Sequence, residues 1–420
     1  MKQISGGVTA PMGFTASGVH CGVKKGKGDG NQPARSGMPE VLADKKDLAL
    51  IVSEQPCAAA AVYTMNRVKA APIYVTMDHL ENGEAQAIVA NSGNANACAP
   101  NSHEHAEEMC VLAARATGLK PEDFVVASTG VIGQELNIDA IGKGLPQAAA
   151  ALSKDGSDAA ANAIMTTDTV KKELAFTCSI GGKTVTLGAI AKGSGMIHPN
   201  MGTMLCFITT DCAITPELLS DALHEIVPRT FNRVTVDGDT STNDMCVVLA
   251  NSMAGNPLIE WKDDGYTVFT KTLRHLCEQL SRAIAADGEG ASKLITCTVN
   301  GARSEESAER LAKAVVGSPL VKAAMFGSDA NWGRVLCAMG YSKAPFRPEY
   351  VDISFSSAVG EILVCQQGAG LNFDEESAKS ILSQDEVVIT VTLSEGEDSA
   401  TCWGCDLTYD YVKINGDYRT

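Results

Sequence analysis

The chain has 420 residues, 45% apolar and 20% charged, and 50 Asp and Glu against 34 Lys and Arg give a net charge of −16. That length implies two or three lobes and a core that needs neither disulfides nor a structural metal, and the acidic balance excludes the basic footprint of a nucleic-acid binder. The 14 cysteines are scattered, no run of about 18 apolar residues is present to span a membrane, and MKQISGGVTAPMGF has neither a signal-peptide nor a transit-peptide pattern, so free thiols in a reducing cytoplasm are expected.

Along the chain, β-branched apolar runs predict strands at 47–54, 85–93 and 123–130, with a helix between them at 103–119 that stops at Gly118. The stretch 140–170, rich in Ala and small polar residues, is the expected lobe boundary. Residues 173–193 predict a hairpin, because Gly181-Gly182 supplies the positive φ of a tight turn. A strand at 203–212 is followed by a helix at 215–231, opened by Thr215, Pro216 and Glu217. Further on come a strand at 244–252, a long helix at 266–290, a strand at 292–301, a Ser-capped helix at 304–319 and a strand at 386–393. The sequence TCWGCDLTYDYVKI (401–414) reads as another strand. Its Cys402 and Cys405 have redox or zinc spacing, but residues three apart on a strand point to opposite faces, so they are structural thiols. The alternation predicts an α/β fold of layered sheets and helices in two lobes.

The chemistry concentrates in AKGSGMIHPNMGTMLCFITTDC (191–212), a glycine-rich loop running into a buried strand with Thr203 at the junction. A lone threonine there is ordinarily just the first residue of a strand. In a loop this adaptable, however, its hydroxyl can attack the carbonyl of Gly202 and break the Gly202–Thr203 bond. The freed α-amine, with a pKa near ~7.7–8, then serves as base for the hydroxyl of the same residue. The acids Asp237, Asp239 and Asp244 lack an EF-hand pattern and read as a loop of hydrogen-bonding side chains rather than a metal site.

KGSGMIHPNMGTML resembles the cleavage motif of the self-processing ornithine acetyltransferases, or glutamate N-acetyltransferases. The resemblance runs end to end, through GVTAPMGFTASGVHCGVK, ANSGNANAC, ASTGVIGQ, IMTTDT, DGDTSTND, DGEGASKL, DANWGRVLCAMGYS and CDLTYDYVKINGDYRT, in that order. It implies cleavage into an α chain (1–202) and a β chain (203–420) with Thr203 as nucleophile. Thr129 and Gly130 would form the oxyanion hole, and Thr166, Lys192, Thr203, Glu289, Asn415 and Thr420 would bind substrate. Lys192 shares the loop of Thr203 and suits a substrate carboxylate; Glu289 suits an ammonium. The residue before the nucleophile is commonly Ala in that family and is Gly202 here, one methyl fewer.

The implied reaction moves acetyl from N-acetylornithine to glutamate in the cytoplasm, in arginine biosynthesis. No bound cofactor, metal, membrane or nucleic acid is implied, and the assembly would be a heterotetramer of two α and two β chains. Members with and without acetyl-CoA as a second donor exist, and no residue here decides between them. A self-processed threonine amidohydrolase or aminopeptidase would carry the same machinery and resolve its acyl-enzyme with water. A non-catalytic metabolite-binding protein would never split, but the intact nucleophile, lysine and oxyanion positions oppose that alternative.

Overall fold

The computed structural model describes residues 1–24, 45–198 and 204–417. They build two sheets covered by helices. The larger sheet holds β1 (Lys2–Ile4), β2 (Phe14–Val19), β3 (Leu48–Tyr63), β4 (Glu84–Asn94), β5 (Phe124–Val131), β6 (Lys172–Ile180), β7 (Lys183–Lys192) and β8 (Leu205–Thr210). The next strand, β9 (Val234–Thr235), leaves for the second sheet, and β10 (Met245–Ala250) returns. The order is β1-β6-β7-β8-β10-β3-β4-β5, with β2 beside β3. Each strand predicted in this half is present, and the 173–193 hairpin turns on Gly181 and Gly182 at φ +56° and +77°.

The placement of β8 fixes the geometry of everything that follows. It lies antiparallel to β7 and parallel to β10, and β10 is antiparallel to β3. Strands from before residue 199 therefore flank the two strands that come after residue 203. Both faces of β8 are buried, which is why its sequence is a continuous apolar run rather than an alternating one. Cys206 and Ile208 join one core and Leu205 and Phe207 the other.

The helices α1 (Ala71–His79), α2 (Ser102–Thr117) and α3 (Ile138–Ala150) pack on β3 to β5, with Met109, Ile141 and Leu145 against Leu50, Val89 and Val126. The core of Leu205 and Phe207 takes in Ala160 and Ile164 of α4 (Ser157–Ile164). The core of Ile208 and Val248 is closed by α5 (Pro216–Ile226) and α6 (Asp264–Ala286), through Leu219, Leu273 and Leu276. Because α3 and α4 are built into these cores, 140–170 is not a lobe boundary; its small residues are what let α4 approach the sheet closely. At Gly156, which caps α4, a Cβ would stand 1.7 Å from the Ala16 carbonyl oxygen of β2. The helix expected through residue 231 stops at Ile226, because Pro228 has no N–H to continue the ladder and two 3₁₀ turns follow.

The second sheet contains β11 (Leu294–Ala302), β12 (Asp352–Ser357), β13 (Gly360–Gln366), β14 (Ala369–Gly370), β15 (Glu386–Thr392) and β16 (Asp398–Cys405), ordered β14-β13-β12-β15-β11-β16-β9. α7 (Glu305–Gly317), α8 (Pro319–Phe326), α9 (Trp332–Gly340) and α10 (Glu375–Leu382) complete its core. Cys402 is buried in this core and Cys405 in that of the larger sheet, as residues three apart on a strand require. The strand expected over 401–414 ends at Cys405, however. The carboxylate of Asp406 accepts the Ser292 and Lys293 N–H groups at 2.8 and 3.0 Å and turns the chain, which continues as α11 (Tyr409–Asp417). Among the described residues, no helix is long and apolar enough to cross a membrane.

Candidate active site

Lys192 is the last residue of β7, opposite Leu205 of β8, so the loop that carries Thr203 is closed by a strand pair at its base. The sequence placed Lys192 in that loop; it stands on the strand end instead and is buried. Gly202 and Thr203, together with Thr420, lie outside the described residues.

Thr129 and Gly130 stand near the end of β5, within the strand expected at 123–130. Gly130 has φ +133°, and a Cβ there would meet the backbone of Gly93 and Asn94 at 2.4 and 2.5 Å, so glycine is required. Asn243 donates to the carbonyl oxygens of Ala95 and Ser128 at 2.6 and 2.8 Å. Since the Ser128 carbonyl shares a peptide plane with the Thr129 N–H, Asn243 helps set the direction of that donor. A hydroxyl and fixed N–H groups at one point suit an oxyanion.

Glu289 follows the end of α6. Its N–H donates to the Ser194 carbonyl at 3.0 Å, and its carboxylate accepts Asn415 Nδ2 of α11 at 2.7 Å. The 193–198 loop approaches Glu289 closely at Gly195, where a Cβ would fall 2.3 Å from the carboxyl group and make it swing aside. Asp237 accepts the Met196 and Ile197 N–H groups at 2.6 and 2.8 Å and pins the same loop from the other side. Burial outweighs these bonds and raises its carboxyl.

Beneath the site lies a buried ionic cluster. Lys172 Nζ stands 2.8 Å from Asp168 and 2.6 Å from Asp287. Asp168 also accepts the N–H of Thr166 at 3.0 Å and of Gly193 at 2.7 Å. Asp287 accepts the Thr169 N–H and hydroxyl. Burial works to raise the Asp168 carboxyl, but Lys172 and Lys192 together carry it down to about 2. Lys172 thus joins the Thr166 loop, the base of the 193–198 loop and the segment leading to Glu289.

These elements enclose a cavity of about 210 Å³ into which Thr129, Gly130, Thr166, Lys192, Glu289 and Asn415 converge. All six described members of the expected site share it. Asp237, Asp239, Ser241, Asn243 and Tyr411 line it too and were not named from sequence as site residues, although DGDTSTND held the first four. One lysine faces several carboxylates, an arrangement that suits an amino acid with a carboxylate and more than one nitrogen. Among the described residues, no three His, Cys, Asp or Glu are grouped to hold a metal ion.

Residues 34–420 match the ArgJ family. An arginine biosynthesis bifunctional protein ArgJ from Symbiobacterium thermophilum is 53% identical over 100% of both chains. The crystal structure of arginine biosynthesis bifunctional protein argJ from Bacillus halodurans is 46% identical over 50% of this chain and 98% of its own, with a TM-score of 0.48. Ornithine acetyltransferase from Mycobacterium tuberculosis, complexed with ornithine, is 36% identical over 48% of this chain and 96% of its own, with a TM-score of 0.40.

Proposed function

The chain belongs to the ArgJ family, and from that premise we propose that it is an ornithine acetyltransferase of arginine biosynthesis, moving acetyl from N-acetylornithine to glutamate through an ester on Thr203. The observation that carries this is the convergence of Thr129, Gly130, Thr166, Lys192, Glu289 and Asn415 on one cavity, at the base of the loop that holds Thr203.

Cleavage between Gly202 and Thr203 yields chains of residues 1–202 and 203–420 and frees the Thr203 α-amine. The amine takes the hydroxyl proton as the oxygen attacks the acetyl carbonyl. Thr129 and Gly130 hold the oxyanion, and as the bond between the acetyl carbon and nitrogen breaks, the Thr203 ammonium returns its proton to that nitrogen and ornithine leaves as a free amine. Glutamate enters the same cavity and takes the acetyl group from the ester. Lys192 recognises the α-carboxylate shared by both substrates, Glu289 with Asn415 receives the ornithine ammonium, and Thr166 and Thr420 complete the site. The acetyl ester has to survive between the two visits, so water must be kept from its carbonyl until glutamate enters.

Relatives in the family carry the name bifunctional, which supports acetyl-CoA as a second acetyl donor to glutamate, as a co-substrate with no resident cofactor. The working unit on this reading is a heterotetramer of two cleaved pairs in the cytoplasm. The test supplies glutamate with either N-acetylornithine or acetyl-CoA and measures N-acetylglutamate. Product from both donors supports the proposal; product from N-acetylornithine alone restricts it to one activity; acetate release without N-acetylglutamate replaces it with a threonine hydrolase.

A further inference from the structure

N-acetylornithine and glutamate are small amino acids, whereas acetyl-CoA carries its acetyl thioester on a long pantetheine arm that ends in phosphates and a nucleoside. Pockets that enclose drug-sized ligands hold roughly 300–1,000 Å³. The cavity here has about 210 Å³, so only the acetyl end of acetyl-CoA can enter it, and the nucleotide must rest on the surface outside. The carboxylates of Asp237, Asp239 and Glu289 on the cavity wall repel phosphates and impose the same direction.

Residues 64–70 join β3 to α1 and run along the outside of one cavity wall. Thr64 Oγ1 donates to the Ser241 carbonyl at 2.8 Å, Asn66 Nδ2 to that of Thr240 at 2.9 Å, and the Ala70 N–H to that of Thr242 at 2.9 Å. Ser241 and Thr242 line the cavity, and Gly238 and Asp239 just before them are exposed, so this wall reaches the mouth. Ala70 also packs with Ile132, another lining residue. The segment is fixed within itself as well. The Asn66 N–H donates to Thr64 Oγ1 at 3.1 Å, the Val68 N–H to Asn66 Oδ1 at 2.9 Å, and Lys69 Nζ to the Asn66 carbonyl at 3.1 Å. Met65 and Val68 are 61% and 50% exposed, with Arg67 exposed between them. In a chain of net charge −16, no acidic residue occurs from 55 to 77.

We propose that residues 65–69 form the outer half of an acetyl-CoA site, in which Arg67 and Lys69 receive the phosphates and Met65 and Val68 lie along the pantetheine arm. The proposal rests on the reading of acetyl-CoA as a second acetyl donor. The planar fork of Arg67 matches a pair of phosphate oxygens, and Lys69 has two further N–H groups beyond the one given to Asn66. A backbone already held by Thr64 and Asn66 loses little freedom on binding. N-acetylornithine has no phosphate, so this surface serves one donor and is idle for the other.

The test is titration calorimetry of the purified protein with CoA, pantetheine and pyrophosphate, beside initial rates with each acetyl donor. CoA should bind the unaltered protein at least about 10-fold more tightly than either fragment. Arg67→Glu should weaken CoA roughly 10- to 100-fold, the range of a hydrogen bond to a charged group, and raise the KM for acetyl-CoA by the same factor. Arg67→Lys should keep part of the affinity. The KM for N-acetylornithine should stay unchanged in both variants, which also shows them to be folded. Unaltered CoA affinity in Arg67→Glu overturns the site, as does an equal rise in both KM values. Pyrophosphate binding as tightly as CoA reduces the surface to general anion attraction, and pantetheine binding as tightly removes the phosphates from recognition; either result overturns the site. A protein that transfers acetyl from N-acetylornithine yet binds no CoA overturns the site and leaves the transferase reading standing. One that makes no N-acetylglutamate from N-acetylornithine refutes that reading, and the CoA affinity of Arg67→Glu still decides the surface.

Discussion

On the proposed function, Thr203, Thr129 and Lys172 serve the site in three different ways, and each gives its own expectation. Thr203→Ala removes the oxygen proposed for both cleavage and transfer, so denaturing gels should show an intact chain and assays no N-acetylglutamate; Thr203→Ser should retain some of both. Thr129→Val removes the hydroxyl proposed to hold charge that exists only in the transition state, so turnover should fall by roughly 10²–10³ with little change in KM. Lys172 is not among the residues that line the cavity. Lys172→Met leaves Asp168 and Asp287 buried without their cation, at an expected cost of about 3–5 kcal/mol in denaturant unfolding. The same cluster sets a pH dependence. The Asp168 carboxyl is depressed when folded, so its stabilisation is fully present above the ordinary carboxylate range and is lost as pH falls from about 4 towards 2. Thermal melts should therefore decline across that window, and decline less in Asp168→Asn. Thr129, Lys192 and Glu289 were named from runs that resemble the ornithine acetyltransferases, and the fold brings all three to one cavity. Lys172 and Asp287, 115 positions apart, were not. Nothing local marks a pair that only the folded chain brings together.

Among the elements, those defined by local signals were the legible ones. The glycine pair at 181–182 located the hairpin, and Thr215 and Ser304 located helix starts, where they accept the Leu218 and Ser307 N–H groups. The tail was misjudged because DLTYDYVKI has strand-like residues, whereas the turn made by Asp406 and the contact with the Glu289 loop favour a helix there. That helix has a consequence for the site. Gly290 has φ +67°, and a Cβ there would lie 2.5 Å from the Tyr411 nitrogen, a backbone atom that cannot give way. Gly290→Ala should push α11 off the loop and separate Asn415 from Glu289. Losing a hydrogen bond to a charged group at that point should raise the KM for N-acetylornithine roughly 10- to 100-fold. Cleavage at Thr203 should persist, since β7, β8 and β10 frame that bond. A KM unchanged in steady-state kinetics would mean that α11 contributes nothing to binding.

For the whole molecule, strand order decides what cleavage can do. Because β8 and β10 lie between β7 and β3, the two chains that the proposed cleavage at Gly202–Thr203 would produce would stay hydrogen-bonded along both edges of the inserted pair. They should co-elute on a native sizing column and separate only in denaturant. None of this order was legible in the sequence, because pairing between distant strands is fixed by the closing of the cores rather than by any local run. The central claim is that acetyl passes through a covalent ester on Thr203, and weighing the denatured chains tests it most directly. After N-acetylornithine alone, the chain that begins at Thr203 should be heavier by one acetyl group, and glutamate should remove it. A Thr203 chain that never gains the acetyl group, from an enzyme that still makes N-acetylglutamate, would contradict the account and place both substrates in one ternary complex.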